Sequence, residues 1–94
     1  MRIWFNHWFS TAAHLIELVR QDWDDVEMIG SHPHEWAAYQ QACDRWGIEP
    51  DLQGRDYAAW CLAFAEEQQV DVFIPWQGLR EIAAIQDEFL AAGI

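Results

Sequence analysis

Lysine is absent from this chain. Its five basic residues are the arginines Arg2, Arg20, Arg45, Arg55 and Arg80, set against 16 acidic residues for a formal net charge of -11. A surface so poor in positive charge repels phosphate backbones, which argues against nucleic acid as a partner. It repels anionic membranes for the same reason. High negative charge also favours solubility, and that reading alone accounts for it. No apolar run approaches the length that spans a bilayer. No signal peptide is legible either: the first apolar run is broken by Asn6 and His7, with no small-residue cleavage pattern behind it. A cytoplasmic chain is expected.

Cysteine is scarce. Cys43 and Cys61 fall in predicted helices on or near the apolar face, so buried free thiols are expected, with a disulfide as the alternative. Several chemistries lack their residues. There is no P-loop, no serine elbow with its glycines, no Cys-x-x-Cys pair and no glycine fingerprint after the first strand. A response-regulator receiver would carry clustered acids after strand one and a late lysine, where this chain has Asn6-His7 and no lysine. The acids Glu17, Asp22, Asp24, Asp25, Glu66, Glu67, Asp87 and Glu88 read as solvated faces.

What the chain does have is apolar and aromatic. Its 94 residues allow one small domain, and 52% hydrophobic with 15% aromatic residues exclude disorder. Seven tryptophans are too many for so small a core, so some are expected at an interface. The organising stretch is Arg2 to Thr11. Ile3-Trp4-Phe5 reads as a buried strand, which passes through Asn6-His7-Trp8 into a helix over Ser10 to Asp22. Further strands are predicted over Val26 to Ile29, Ile48 to Leu52 and Val70 to Ile74. Pro50 moves the third of these toward a sheet edge. Further helices are predicted from Pro33 to Trp46 with Gly47 as C-cap, from an Asp56 cap to a solvated end over Glu66 to Gln69, and over Leu79 to Ala92 with Gly93 as C-cap. Alternating strands and helices imply a three-layer, Rossmann-like open parallel sheet with helices on both faces. Right-handed crossovers favour the strand order 3-2-1-4.

In that order the loops after strands one and four face each other at the switch point, where open α/β sheets bind ligands. The candidate binding residues are therefore Asn6, His7 and Trp8 from the first loop, and Trp76, Gln77 and Gly78 from the last; Ser10 reads as the N-cap of the helix that follows. An amide and an imidazole can orient a polar ligand, and Gly78 allows close backbone approach. Packing roles for the same residues are the competing explanation. Ser31, His32 and His34 form a weaker set that lacks a third metal ligand of matching spacing. No catalytic residue and no metal ligand is assigned.

Two stretches, Ile3-Trp4-Phe5-Asn6-His7-Trp8-Phe9-Ser10-Thr11 and Val70-Asp71-Val72-Phe73-Ile74-Pro75, resemble the amino-terminal domain of ATP-grasp enzymes of the carbamoyl-phosphate-synthetase-like branch. The resemblance implies a Rossmann-like domain that packs on an ATP-grasp domain in the same or another chain. Such enzymes activate a small-molecule carboxylate as an acyl phosphate with ATP and magnesium, then join it to a nucleophile. On that resemblance Asn6, His7, Trp8, Ser10, Trp76, Gln77 and Gly78 face the active site as substrate-binding residues. ATP and magnesium belong to later domains, and this chain binds no cofactor and is not catalytic alone. Two alternatives stand beside it: a free-standing binding or regulatory module acting as a homodimer, and a small metal-binding protein using His7, His32 and His34.

Overall fold

The first strand, β1 (Arg2–Asn6), buries Ile3, Trp4, Phe5 and Asn6. A strand apolar on both sides belongs in the interior of a sheet covered on both faces. In the computed structural model, which describes residues 1–6, 17, 25–33, 43–75 and 77–94, β1 is central. It pairs in parallel with β2 (Glu27–His32) on one side and β4 (Val72–Ile74) on the other. β3 (Arg45–Ile48) pairs in parallel with β2 and completes the predicted order β3-β2-β1-β4.

Side chains alternate across a strand, so register decides what meets. Trp4 lies opposite Ile29 and Phe73, and Asn6 lies opposite Ser31. Over this face runs α1 (Gly54–Glu67), the crossover from β3 to β4, which buries Tyr57, Ala58, Cys61 and Ala65. Trp4 is the centre of the core. Its ring stacks on Phe73 with centroids 4.0 Å apart, and it packs against Phe64 at 4.7 Å and edge-on against Trp60 at 6.1 Å. The short helices α2 (Leu79–Ala84) and α3 (Gln86–Ala91) add Ile82 and Phe89 to the same cluster. Ile3, Phe5 and Met28, on the opposite face, are buried too. Glu17, within the helix predicted over Ser10 to Asp22, is helical and exposed; the rest of that helix and most of the one predicted after Pro33 lie outside the described residues.

Three predictions are corrected. Trp46 and Gly47 do not end a helix; they lie in β3, which spans Arg45–Ile48 and not the predicted Ile48 to Leu52, and Cys43 precedes it outside any helix. The Asp44 carboxylate accepts the Met28 N–H at 2.8 Å while the Asp44 N–H donates to the Met28 carbonyl, which draws the chain into pairing with β2. Sheet pairing of this kind overrides a helical hydrophobic period, and aromatic Trp46 suits a strand. Gly47 serves close packing, since a Cβ there would stand 2.7 Å from the Phe64 ring. Secondly, α1 begins at Gly54 with Gln53 as its N-cap, so Asp56 lies in the first turn. Thirdly, the helix predicted over Leu79 to Ala92 is broken at Ile85. The break turns Phe89 onto Phe73, ring centroids 5.7 Å apart, and leaves Leu79 and Leu90 exposed.

Two helix ends are closed by the same device. At α1, Gln69 is left-handed (φ 56°), the Val70 N–H bonds the Ala65 carbonyl and the Gln69 N–H bonds the Glu66 carbonyl. At α3, Gly93, with Ile94 bonded to Phe89 and Gly93 to Leu90, does likewise, as predicted for that glycine. This is the Schellman arrangement.

Candidate functional site

A parallel sheet gathers the carboxyl ends of its strands on one edge. Here that edge carries Asn6 from β1, Ser31 and His32 from β2, Glu49 just after β3 and Pro75 just after β4. Because α1 starts at this edge, its first turns bring Tyr57 in as well.

The polar side chains form a connected, buried set. Glu49 is 3% exposed, and Asn6 and Ser31 are fully buried. The Trp4 indole N–H donates to Ser31 Oγ at 2.8 Å, and Ser31 Oγ donates to Glu49 Oε2 at 2.9 Å. The Tyr57 hydroxyl donates to Glu49 Oε1 at 2.6 Å and accepts from Asn6 Nδ2 at 2.8 Å. Asn6 also clamps the loop after β4: its Nδ2 donates to the Gln77 carbonyl at 3.0 Å, and its Oδ1 accepts from the Gln77 N–H at 3.3 Å. A buried carboxylate costs several kcal/mol unless its oxygens are satisfied, and hydroxyl donors on both Glu49 oxygens meet that condition.

Burial pushes the Tyr57 hydroxyl up, and its hydrogen bond to Glu49 adds to the shift, so it stays a proton donor. Burial also pushes the neighbouring Cys61 thiol up to about 12, partly offset by its hydrogen bond to Tyr57. A thiol held protonated at neutral pH is not a nucleophile. The arrangement is suited to holding backbone in place and has no activated nucleophile among its described groups.

Beside the network lies a cleft of about 360 Å³ between Gln53, Gly54 and Tyr57 on one side and Gln77, Gly78 and Glu81 on the other. Gly78 is left-handed (φ 71°), and a Cβ there would meet the Tyr57 ring at 2.8 Å, so the glycine is required twice over.

Of the residues predicted from sequence, the structure brings Asn6, Gln77 and Gly78 together at the switch point. Asn6 is enclosed and bonded to Tyr57 and Gln77, so it supports the loop from below; Gln77 is exposed and Gly78 borders the cleft. His7, Trp8, Ser10 and Trp76 lie outside the described residues. So does His34, while His32 ends β2 half-buried, and no cluster of three metal-ligating side chains occurs among the described residues. Neither Cys61, which is buried, nor Cys43, which is half-buried, is in a disulfide. Sequence reasoning missed Glu49 and gave Tyr57 only a packing role. The signal for Glu49 was an acid wedged between Ile48 and Pro50 at the carboxyl end of a parallel strand, where ligands gather. Among the described residues no helix is long and apolar enough to cross a membrane. No protein-family model matches the chain, and no curated protein matches its sequence.

Proposed function

We propose that this chain is the substrate-side amino-terminal domain of an ATP-dependent carboxylate ligase of the ATP-grasp type, and that it is not catalytic alone. The observation that carries the reading is the cleft at the carboxyl edge of a β3-β2-β1-β4 sheet, its Gln77–Gly78 wall fixed by Asn6. Open α/β sheets bind ligands at this position, and the opening and fourth-strand motifs resemble that family's. Under this reading the cleft takes part in seating a small-molecule carboxylate or the acceptor joined to it. ATP and magnesium sit in an ATP-grasp domain of the same or another chain, and the complex works in the cytoplasm.

The test begins with the reading frame beyond the Ile94 codon and the neighbouring genes, which are expected to encode a Gly-rich, Lys-bearing ATP-grasp module. The protein containing both parts is then assayed for ADP release against a panel of carboxylates, with hydroxylamine trapping the acyl phosphate. Carboxylate-dependent ADP release supports the reading. A locus without such a module, or an assembled protein that forms no hydroxamate with any of the panel, ends it.

A second reading is a free-standing binding module that pairs with another copy of itself. One feature favours it: edge strand β4 leaves Val72 and Ile74 each 37% exposed on the face of the sheet that carries Ile3 and Phe5. Sedimentation equilibrium decides. A tight dimer that Ile74→Lys dissociates supports this reading, and a monomer at all accessible concentrations removes it.

A further inference from the structure

We infer that Glu49 is a positioning residue for the Gln77–Gly78 wall of the cleft, acting through a hydrogen-bond chain whose direction it sets. Both hydroxyls that reach Glu49 donate to it, Ser31 at 2.9 Å to Oε2 and Tyr57 at 2.6 Å to Oε1. With its proton so committed, the Tyr57 oxygen presents lone pairs, and the group that meets it must be a donor. Asn6 answers with Nδ2 at 2.8 Å. That choice fixes the flip of the Asn6 amide and leaves Oδ1 facing the Gln77 N–H at 3.3 Å, while Nδ2 also reaches the Gln77 carbonyl at 3.0 Å. The backbone of Gln77 is thus matched, donor to acceptor and acceptor to donor, by an amide whose orientation originates at Glu49.

Among the described residues two arms leave the carboxylate. The arm through Ser31 leads to Trp4 in the core, and the arm through Tyr57 leads to the cleft wall. Of these two arms only the second reaches Gln77, so it is the one expected to report there. Its consequence for a ligand rests on the cleft reading above; the loop effect does not, so the two fail separately.

The experiment is NMR of the ligand-free chain in three variants: Glu49→Leu, Tyr57→Phe and Ser31→Ala. In Glu49→Leu and Tyr57→Phe the Asn6 side-chain amide protons are expected to exchange about tenfold faster, as one lost hydrogen bond of ordinary strength gives. The Gln77 and Gly78 backbone amide signals move with them. In Ser31→Ala these signals stay, although its stability falls. The inference is overturned if a folded Glu49→Leu or Tyr57→Phe leaves Gln77 and Gly78 in place, or if Ser31→Ala shifts them as far as Tyr57→Phe does. Should Glu49→Leu not fold, Glu49→Gln, whose amide puts a donor where one of the two accepting oxygens stood, is read in its place by the same outcomes.

Discussion

Two side chains carry unusual structural responsibility at the scale of single residues. Tyr57 bonds both Glu49 and Asn6, and its ring lies against Gly78. Removing its hydroxyl withdraws a donor from a buried carboxylate and an acceptor from a buried amide. Tyr57→Phe is therefore expected to lower unfolding free energy by about 1.5–3 kcal/mol, the range for hydrogen bonds to charged groups, as read from urea midpoints. Gly47 is constrained by space alone. Its missing Cβ is what lets the Phe64 ring approach β3, so Gly47→Ala overpacks the core. A loss of about 1–3 kcal/mol is expected. A Gly47→Ala chain as stable as the parent would show that Phe64 has another place to go.

Among the elements, the end of α1 contains an avoidable strain. Gln69 occupies the left-handed region that only glycine enters cheaply, and it does so to close the Schellman turn that delivers Val70 to the core. Gln69→Gly relieves about 1–2 kcal/mol of that strain against about 0.5–1 kcal/mol of added chain entropy. A net gain of up to about 1 kcal/mol is expected in chemical denaturation, despite the loss of the exposed Arg2–Gln69 contact at 3.1 Å. Elements are also where local pattern and long-range pairing compete. The period of Leu79, Ile82, Phe89 and Leu90 reads as one straight helix, but the structure breaks it at Ile85 into two short helices, which bring Ile82 and Phe89 to the cluster around Trp4. Arg45 to Ile48 has no strong local preference, and β2 recruits it through Asp44.

For the whole molecule, charge and buried titration set the response to conditions. The chain carries a formal charge of -11, and self-repulsion at that charge opposes compactness. Raising ionic strength from about 0.01 M to about 0.15 M shortens the screening length from about 30 Å to about 8 Å, so the melting temperature is expected to rise. No rise in calorimetric scans would mean that the acids are already compensated. Alkali acts through Cys61. Its thiol has a reference value of 9.0 and is raised in the fold to about 12. Below 9 both states hold the proton and the stabilisation is complete; as pH climbs from 9 to 12 the unfolded chain releases it first, so stability declines. Tyr57, also raised, works in the same direction. In Cys61→Ala the slope of unfolding free energy over that interval is expected to be shallower by about one proton per molecule; an unchanged slope would remove Cys61 from the account.

Several features were determined by the sequence itself. Ile3-Trp4-Phe5 is apolar on both sides, so β1 had to be interior; the alternation of strands and helices then required crossovers, and their handedness led to β3-β2-β1-β4. The meeting of Asn6 with Gln77 followed from that order, because topology alone brings the ends of β1 and β4 to one edge. Tertiary structure decided what those residues do there. Asn6 is enclosed and Glu49 is central because Tyr57 and Ser31 converge on a carboxylate from elements distant in the chain. Local propensity and periodicity report which side of an element is apolar. Hydrogen-bond partners depend on where separate elements come to rest in space, and that is fixed only when the core around Trp4 closes.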